Sequence, residues 1–439
     1  MNSNRTTRRD FLGKSIVTGV GIAAGLRTLS FGEAAKAAPN DSTSIPAIVG
    51  ISKGSDRADN AFRALQMFKK DIAAAIGNKR VVIKVNFVAL PSSGNVCAYT
   101  RPEHVEGILE FLKSIGKTDV TVVEGSITNP PFQAFSLMGY FSLLKKYPVR
   151  FKSLSEEGYQ PMMVYNLGSL ANKVRVTKIL MNKNYFVISA CKTKCHDRVV
   201  ATLSLKNIVM GSIIVDASTF NGGGGSSDKA LMHNASGTRA YGDGNTSYNN
   251  HQDLNDTICM LTNLLAPDMS VIDAYQGMQH NGPLSGTPVT PQQAAIASLD
   301  FLSADRIGTI LMDVHNSVLS INTTLKGTGK TPDGDTADNS VPGGSAASVT
   351  YNWPKYPACL NYCAQNGVGQ YDSNLIDLVG DVTGAASTGS ISSGSLAINS
   401  GLTPLVKTYQ LHDNTVSGQS LWMRPTPLSA PVGTDRRLT

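Results

Sequence analysis

The chain has 439 residues, of which 41% are hydrophobic and 16% charged, and its formal net charge is +7. Six basic and two acidic side chains among residues 1–37 account for +4 of that charge, which leaves only +3 on the remaining residues. So small an excess, without a basic run, excludes a nucleic-acid-binding surface. Beyond residue 37 no apolar stretch reaches the roughly 18 residues of a membrane span.

The first 37 residues have the pattern of an export signal. The twin-arginine sequence TRRDFLGK (7–14) precedes an apolar, Gly/Ala-rich segment at 15–26, and AKA (35–37) fits a small-x-small cleavage site. The apolar segment is shorter than the roughly 20 residues that a spanning helix needs. The pattern predicts a twin-arginine signal peptide at 1–37 and a periplasmic or extracellular mature protein.

Residues 46–382 are predicted to form one α/β domain. Strands and helices alternate along it with short connections, which favours a largely parallel sheet flanked by helices. β-Branched apolar runs predict strands at 80–88, 119–125, 184–190, 269–275 and 374–381. Helical spacing of apolar residues predicts helices at 101–117, 141–147, 253–266 and 357–369.

Three Gly-, Ser- and Asn- or Thr-rich stretches interrupt this pattern. They predict a long loop at 220–250, a flexible insertion at about 322–349 and a C-terminal tail at 383–439. Loops of this length are usually functional or disordered. Self-association through these loops or the tail is therefore an alternative to a purely enzymatic role.

The segment ACKTKCHDRVVATLSLKNIVMGSI (190–213) contains two of the six cysteines. Cys191 and Cys195 are one residue too far apart for the C-x-x-C-H motif of haem attachment. Paired across a turn, or together with Cys359 and Cys363, they can form disulfides or a four-thiol metal site. Each cysteine can equally be a small apolar filler.

The same segment carries Lys192, Lys194 and His196 directly after the strand predicted at 184–190. The sequence therefore places them in a loop at the carboxyl end of a central strand, where open α/β sheets bind ligands. Lys206 and Asn207 follow shortly. Cationic groups gathered in this way predict a negatively charged ligand or amines with lowered pKa values.

VVIKVNF, TRPEHVEGILEFLKSIGKTDVTVVEGS, KTKCHDRVVATLSLKNIVMGSI and HQDLNDTICMLTNLLAPDMSVIDAYQGMQHNGPLSGTP occur in this order. Together with SLDFLSADRIG and CAQNGVGQYDSNLIDLVGD they resemble the bacterial and archaeal family known as domain of unknown function 362. The resemblance covers most of residues 46–382 and implies the family fold. The family has no established activity. Iron–sulfur chemistry, known from some members, does not transfer, because this chain lacks a C-x-x-C-x-x-C run.

The resemblance implies a set of site residues, and several of them end predicted strands, so they should converge on one edge of the sheet. The motif positions are Lys84, Asn86, Glu124, Lys192, Lys194, His196, Lys206, Asn207, His251, Asp273, Asn281, Gly282, Pro283, Asp300 and Asp305.

These positions divide into three predicted roles. His196, His251 and Asp273 are candidate ligands of a divalent transition metal. The catalytic candidates, which include possible anion clamps and bases, are Lys84, Glu124, Lys194, His196 and Lys206. The candidates for ligand binding are Asn86, Lys192, Asn207, Asn281 and Asp300.

The leading hypothesis is an exported, metal- or cofactor-dependent enzyme that acts on a small anionic ligand. The first alternative is a non-catalytic surface component that keeps the family fold. The second is a thiol or iron–sulfur redox protein. A concave cluster of Lys84, Glu124, Lys194, His196 and His251 would favour the enzyme, whereas the redox hypothesis requires cysteine sulfurs within bonding distance of one another or of a metal.

Overall fold

A computed structural model describes the following residues of the chain: 47–88, 97–125, 131–165, 171–196, 199–216, 228–232, 246–279, 283, 287–288, 291–311, 359–360, 363, 368–371 and 375–382. The predicted signal peptide, the insertion at 322–349 and the tail at 383–439 lie outside these residues. So does most of the helix predicted at 357–369.

The described residues form a large sheet and a two-stranded hairpin. The strands are β1 Ala47–Lys53, β2 Arg80–Lys84, β3 Val120–Glu124, β4 Val149–Ser153, β5 Tyr159–Tyr165, β6 Ala171–Thr177, β7 Tyr185–His196, β8 Val200–Thr202, β9 Met269–Gln279, β10 Thr287–Pro288, β11 Ala294–Ser298 and β12 Ile376–Gly380. The sheet order is β12-β1-β11-β9-β7-β2-β3-β4, with β8 paired to β7 and β10 to β9, while β5 and β6 form the hairpin.

Helices cover both faces of the sheet. They are α1 Arg57–Gln66, α2 Lys69–Ile76, α3 Pro102–Ser114, α4 Pro131–Leu137, α5 Lys178–Met181, α6 Ser204–Ser212, α7 Asp228–Met232, α8 Thr246–Leu265 and α9 Phe301–Leu311. Two 3₁₀ helices span Tyr140–Lys145 and Leu154–Glu156. Among the described residues, no helix is both long and apolar enough to cross a membrane.

The strand residues alternate between two apolar cores. In β2, Val81 and Ile83 pack with α1, α2 and α3, whereas Val82 packs on the opposite face with α6, α8, α9 and the hairpin. This period of two puts Lys84 on the same face as Val82. The domain is therefore a three-layer α/β sandwich, which confirms the predicted fold class.

The sheet is mixed. β2, β3, β4, β7 and β9 run parallel, but β11 is antiparallel to both β1 and β9. The Ala-rich sequence of β11, AAIAS, gave no strand signal. Because β11 reverses the direction of the chain between β9 and β1, the sheet is only largely parallel, as predicted.

Two predicted helices differ in detail from the structure. Residues 141–147 were predicted as helix, and the structure has a 3₁₀ helix at Tyr140–Lys145 that begins after Gly139 in the left-handed conformation. The helix predicted at 253–266 begins seven residues earlier, at Thr246, inside the stretch predicted as loop. Polar residues fill that first part, TSYNNHQ, and hide its helical pattern.

The largest correction concerns the central strand β7. It was predicted to end near Ala190, but it continues to His196. β9 pairs with it in parallel as far as Lys192 and Lys194, and β8 pairs with it at Lys194 and His196. These neighbours satisfy the backbone hydrogen bonds of the polar residues. Lys192, Lys194 and His196 therefore lie in a buried strand and not in a loop.

Candidate functional site

Four parallel strands bring polar side chains to one edge of the sheet. Lys84 ends β2, Glu124 ends β3, Lys192 and Lys194 lie in the second half of β7, and Asp273 lies within β9. β2 and β7 are in register at Lys84 and Ser189, and β7 and β9 at Lys192 and Asp273. The parallel pairing therefore collects these groups at the carboxyl edge, on both faces of the sheet.

On the α6 face, Lys84 is the centre of a buried hydrogen-bonded network. Its Nζ lies 2.6 Å from Glu124 Oε1, and it donates to Asn207 Oδ1 at 3.1 Å. Asn86 Nδ2 also donates to Asn207 Oδ1, at 3.1 Å. Asn207 in turn donates to the Lys84 carbonyl oxygen and to Ser189 Oγ. The network fixes the ends of β2, β3 and β7 to α6.

Close packing confines the Lys84 amine. A Cβ atom at Gly211 on α6 would overlap the end of the Lys84 side chain, so an alanine there would force the Lys84 amine to shift. Glu124 also accepts hydrogen bonds from the backbone N–H groups of Phe87 and Gly125, both at 2.7 Å. One acceptor in the network, Asn86 Oδ1, is buried and has no hydrogen-bond partner among the described residues.

Lys194 and Lys229 interact electrostatically with Glu124, and Lys206 interacts with both of these lysines. These three lysines, with Lys84 and Glu124, are called the lysine cluster below. Lys194 is fully buried and donates to the Ala98 carbonyl oxygen at 2.5 Å. Lys229, on α7, donates to the Gly125 carbonyl oxygen at 2.9 Å. The cluster thus gathers three amines near one carboxylate, with the Lys206 amine close to two of them.

Burial and mutual repulsion lower the pKa values of these amines. Burial lowers the pKa of Lys84, against the opposing effect of Glu124. Burial, with Lys206 adding to it, holds the pKa of Lys194 well below its usual value. The pKa of Lys229 falls to about 7, mainly by burial, and Lys84 and Lys206 act in the same direction. Amines of this kind can exchange protons near neutral pH.

A second polar group lies on the α1 face of the sheet. Lys192 Nζ is 3.2 Å from Asp273 Oδ2, and Arg57 Nη1 is 2.5 Å from the same oxygen. Burial acts to raise the pKa of Asp273, but Lys192 and Arg57 together hold it well below its usual value. Burial lowers the pKa of Lys192. One ionised carboxylate therefore faces two cationic groups.

His104 on α3 completes this second group. Burial lowers its pKa to about 4, so the imidazole is neutral at pH 7. Its Nε2 donates to the Val271 carbonyl oxygen at 3.2 Å, and its buried Nδ1 has no partner among the described residues. His104 therefore adds a polar but uncharged side chain next to Asp273.

An open cleft of about 540 Å³ reaches this second group from solvent. Its lining contains the cations Arg57, Arg101 and Lys192 and the acidic Asp56 and Glu103, together with Ser55, Cys97, Tyr275 and Gln276. The volume lies in the range of small-molecule sites. Lys192 is 1% exposed and forms part of the floor, whereas Arg57 and Arg101 are partly exposed at the rim.

The structure places the remaining predicted residues as follows. His196 is buried at the end of β7, where its Nδ1 accepts from the Val199 N–H at 3.4 Å. Asp300 accepts from the N–H groups of Leu302, Ser303 and Gln370 at the start of α9, where it caps the helix. Asp305 accepts from Ser204 and Leu205 at the start of α6. Both aspartates hold backbone in place.

The predicted metal site is not assembled by the described side chains. Among them, no three His, Cys, Asp or Glu groups are arranged to hold a metal ion. Asp273 is engaged by Lys192 and Arg57, and its Oδ1 accepts from the Tyr275 N–H. His251 lies on α8, but its side chain is outside the described residues, as are Asn281 and Gly282.

All six cysteines are buried free thiols. Cys191 and Cys195 pack in the apolar core beneath α6 and α8, with Cys259, Cys359 and Cys363. Cys97 instead lines the cleft. The structure therefore shows neither of the disulfide alternatives, and the sulfurs of the α6 and α8 face act as small apolar groups.

Three residues of the two polar groups and the cleft were not predicted as site residues: Arg57, Arg101 and Lys229. Arg57 is the first residue of α1, Arg101 directly precedes Pro102 at the start of α3, and Lys229 lies on α7 in the stretch predicted as loop. Arg175 anchors α7 through Asp228 at 2.8 Å. The available signal was positional: Arg57 and Arg101 begin helices that follow β1 and β2, where the carboxyl edge had to lie.

Fold and site together define an α/β protein with a basic, partly buried site at the carboxyl edge of its sheet. The chain belongs to the family described as domain of unknown function DUF362, whose sequence profile matches residues 81–309. This range contains both polar groups and the cleft, apart from Ser55, Asp56 and Arg57, which precede it. A search of curated protein sequences returns no match.

Two solved structures are distantly similar. One is a protein from Thermotoga maritima, with 12% identity and a TM-score of 0.36 over 58% of this chain and 59% of the other. The second is the lactate racemase apoprotein from Thermoanaerobacterium thermosaccharolyticum, with 14% identity and a TM-score of 0.35 over 63% of this chain and 58% of the other. The match spans less than two thirds of either protein.

Proposed function

We propose that this chain is an enzyme that binds a small anionic ligand in the cleft beside Lys192 and uses buried lysine amines to move protons. The observation that carries the proposal is the arrangement of Arg57, Arg101 and Lys192 around one cleft at the carboxyl edge. Open α/β sheets bind their ligands at this edge. The proposal concerns ligand class and type of chemistry.

The position of the guanidinium groups, partly exposed beside the cleft, favours an anion. Asp273 carries one negative charge and faces both Lys192 and Arg57. Arg101 contacts Glu103 only at 3.4 Å, through side chains that are 32% and 49% exposed, and an ion pair of that kind is weak. A carboxylate or phosphate entering the cleft meets guanidinium groups, which bind such ligands through paired hydrogen bonds.

The lysine cluster supplies the candidate proton carriers. Three of its amines lie near one carboxylate, and burial lowers the pKa values of these three, Lys84, Lys194 and Lys229. A lysine whose pKa lies near 7 can act as a base at neutral pH, which an ordinary lysine cannot. Asn86 Oδ1, which has no hydrogen-bond partner within the described part of the chain, is a further polar group next to this cluster that a donor of a bound molecule can satisfy.

Titration calorimetry with inorganic phosphate, acetate and lactate tests the binding step. The full chain is expected to bind at least one of these anions. Arg101→Gln should weaken binding about tenfold or more, because a hydrogen bond to a charged group contributes about 1.5–3 kcal/mol. Arg150→Gln, on the exposed strand β4, is the matched control and should leave binding unchanged. If none of the three anions gives a heat of binding, the proposal is wrong.

The catalytic step needs a separate test. The protein is incubated with a mixture of small carboxylic acids and phosphate esters, and the mixture is followed by NMR. The unmodified protein is expected to change at least one component, and Lys194→Met is expected to lose that activity while anion binding is kept. An unchanged mixture, with binding intact, would favour the non-catalytic alternative.

We further propose that the chain is exported through its twin-arginine segment and that His196 contributes to a metal site. Both stay predictions from the sequence. Cell fractionation of the native host checks export, which replacement of Arg8 and Arg9 by lysine should abolish. Elemental analysis of the exported protein and of His196→Ala checks the metal, because a bound metal should be lost in the variant.

A further inference from the structure

We propose that Lys192 forms an imine with the carbonyl carbon of a small 2-oxo acid bound in the cleft. The inference rests on the proposed function and names its substrate class. It assigns to Lys192 the role of a nucleophile, which is more than the role of an anion clamp. Three features support this role: the position of the Lys192 amine, the Arg57 guanidinium beside Asp273, and the arginines at the rim of the cleft.

Lys192 is held at the floor of the cleft. It lies on the central strand β7, its side chain is 1% exposed, and its Nζ is 3.2 Å from Asp273 Oδ2. Of the described lysines, Lys84 and Lys194 are also buried at this edge, but Lys192 is the one that lines the cleft. A molecule in the cleft can therefore reach this amine.

Asp273 has a second counter-charge besides Lys192. Arg57 Nη1 lies 2.5 Å from the same Oδ2 atom, closer than the lysine amine. The guanidinium is 4.4 Å from the centre of the Tyr275 ring, which helps to fix it in place. When the Lys192 amine is neutral, Arg57 therefore still provides a counter-charge for Asp273. A desolvated amine next to another cationic group is the usual arrangement of an activated lysine nucleophile.

The residues at the rim of the cleft favour a carboxylate, and the amine at its floor favours an electrophilic carbon. Arg57 and Arg101 stand at the rim, partly exposed, and Lys192 at the floor. A ligand that carries an anionic group next to a carbonyl group can present one to the rim and the other to the floor. In a 2-oxo acid, contact of the carboxylate with the arginines leaves the carbonyl carbon to face the deeper amine.

The step conserves atoms and electrons. The lone pair of the neutral Lys192 amine forms a C–N bond as the carbonyl π bond breaks, and the oxygen takes a proton. The nitrogen gives up a proton to water in the open cleft. The hydroxyl group then takes a further proton from water in the cleft and leaves as water, while the nitrogen lone pair forms the C=N bond of a protonated imine. Nothing is oxidised or reduced, and Asp273, held ionised by Arg57, remains as the counter-ion of the imine.

Reductive trapping tests the inference. The full chain is incubated with pyruvate and cyanoborohydride, and the modified residue is located by peptide mass mapping. We expect one pyruvate-derived adduct at Lys192, and none when lactate replaces pyruvate. Exposed Lys183 provides an internal control, since non-specific modification would appear there as well. Because the mapping uses the unmodified chain, its outcome does not depend on whether a variant folds.

The Lys192→Arg variant gives the matched comparison, since it keeps the positive charge but cannot form the imine. It is expected to bind lactate in calorimetry and to lose the adduct. Anion binding by the unmodified chain without an adduct at Lys192 overturns the imine and leaves the proposed function standing. The absence of both binding and adduct overturns both. An adduct spread over surface lysines also overturns the inference.

Discussion

Lys84 and Glu124 form a buried ion pair at the carboxyl edge of the sheet, with Nζ and Oε1 2.6 Å apart and the side chains 1% and 3% exposed. The pair ties the end of β2 to the end of β3. Removing one partner leaves the other as a buried charge without its counter-ion. The lysine cluster is therefore both the candidate reactive region and a point where the fold is sensitive to change.

Glu124→Gln is expected to lower the free energy of unfolding by about 3–5 kcal/mol, the usual cost of leaving a buried charge unpaired. Urea unfolding followed by circular dichroism measures it. The double variant Glu124→Gln with Lys84→Met should recover part of the loss, because it also removes the stranded ammonium. Asp119→Asn, which breaks an exposed pair with Arg150, is the control and should cost less than about 1 kcal/mol. An equal loss of unfolding free energy in Glu124→Gln and Asp119→Asn would contradict the prediction.

Stability should depend on pH through Lys229. Folding lowers the pKa of this lysine from 10.5 to about 7, because burial disfavours the ammonium form. Between these values the unfolded chain binds a proton that the folded chain does not, so the free energy of unfolding rises with pH across this window. Below pH 7 both states are protonated and the gain is absent. The rise amounts to at most about 1.4 kcal/mol per pH unit for one proton.

Lys229→Met should remove this contribution. Denaturant unfolding at several pH values between 7 and 10.5 is expected to show a smaller slope of stability against pH in the variant than in the unmodified chain. Lys183→Met, at an exposed lysine, should keep the slope. A slope that is identical in all three proteins would show that Lys229 does not titrate in this window.

Gly107 is expected to tolerate no side chain. A Cβ atom there would overlap the backbone carbonyl of Ala58, because α3 and α1 pack closely at this point. Backbone cannot move aside as a flexible side chain can, so Gly107→Ala should destabilise the fold by about 1–3 kcal/mol. Thermal unfolding measures the loss. Lys113→Ala, at an exposed position of the same helix, should change the melting temperature little, and an equally mild Gly107→Ala would refute the close contact.

Cys97 should be the first cysteine to react in the native protein. All six thiols are buried, but Cys97 lines the open cleft, and burial raises its pKa, so its alkylation should be slow and faster at high pH. Iodoacetate carries the charge expected of the ligand. Its reaction should be slowed by added phosphate or lactate if these anions occupy the cleft. Peptide mapping identifies the site, and modification of another cysteine first would contradict the prediction.

Much of the fold could be predicted from local sequence. β2, β3 and β9 begin within a residue or so of their predicted starts, because buried parallel strands are β-branched and apolar. The error at β7 has a different origin. Lys192, Lys194 and His196 have the composition of a loop, and only their pairing with β8 and β9 keeps them in a strand. That pairing depends on residues distant in sequence.

The candidate site was partly predictable for the same reason. Lys84 and Glu124 were expected to meet because strand ends converge, and the structure brings them into direct contact. Asn207, a motif position on α6, hydrogen-bonds to Lys84. The cleft was not predicted, since Arg57 and Arg101 look like ordinary charges at helix starts. Asp300 and Asp305 show the opposite case: motif positions can serve backbone capping.

The hydrogen bond between Lys84 and Asn207 joins positions 123 residues apart. A contact of such long range requires closure of a large loop, which costs conformational entropy and slows folding. A nascent chain that has completed β2 and β3 but not α6 therefore has the Lys84 amine without its amide partner and without the glycine surface that confines it. The geometry of the lysine cluster therefore exists only in the completed domain, and its presence distinguishes a folded chain from a collapsed one.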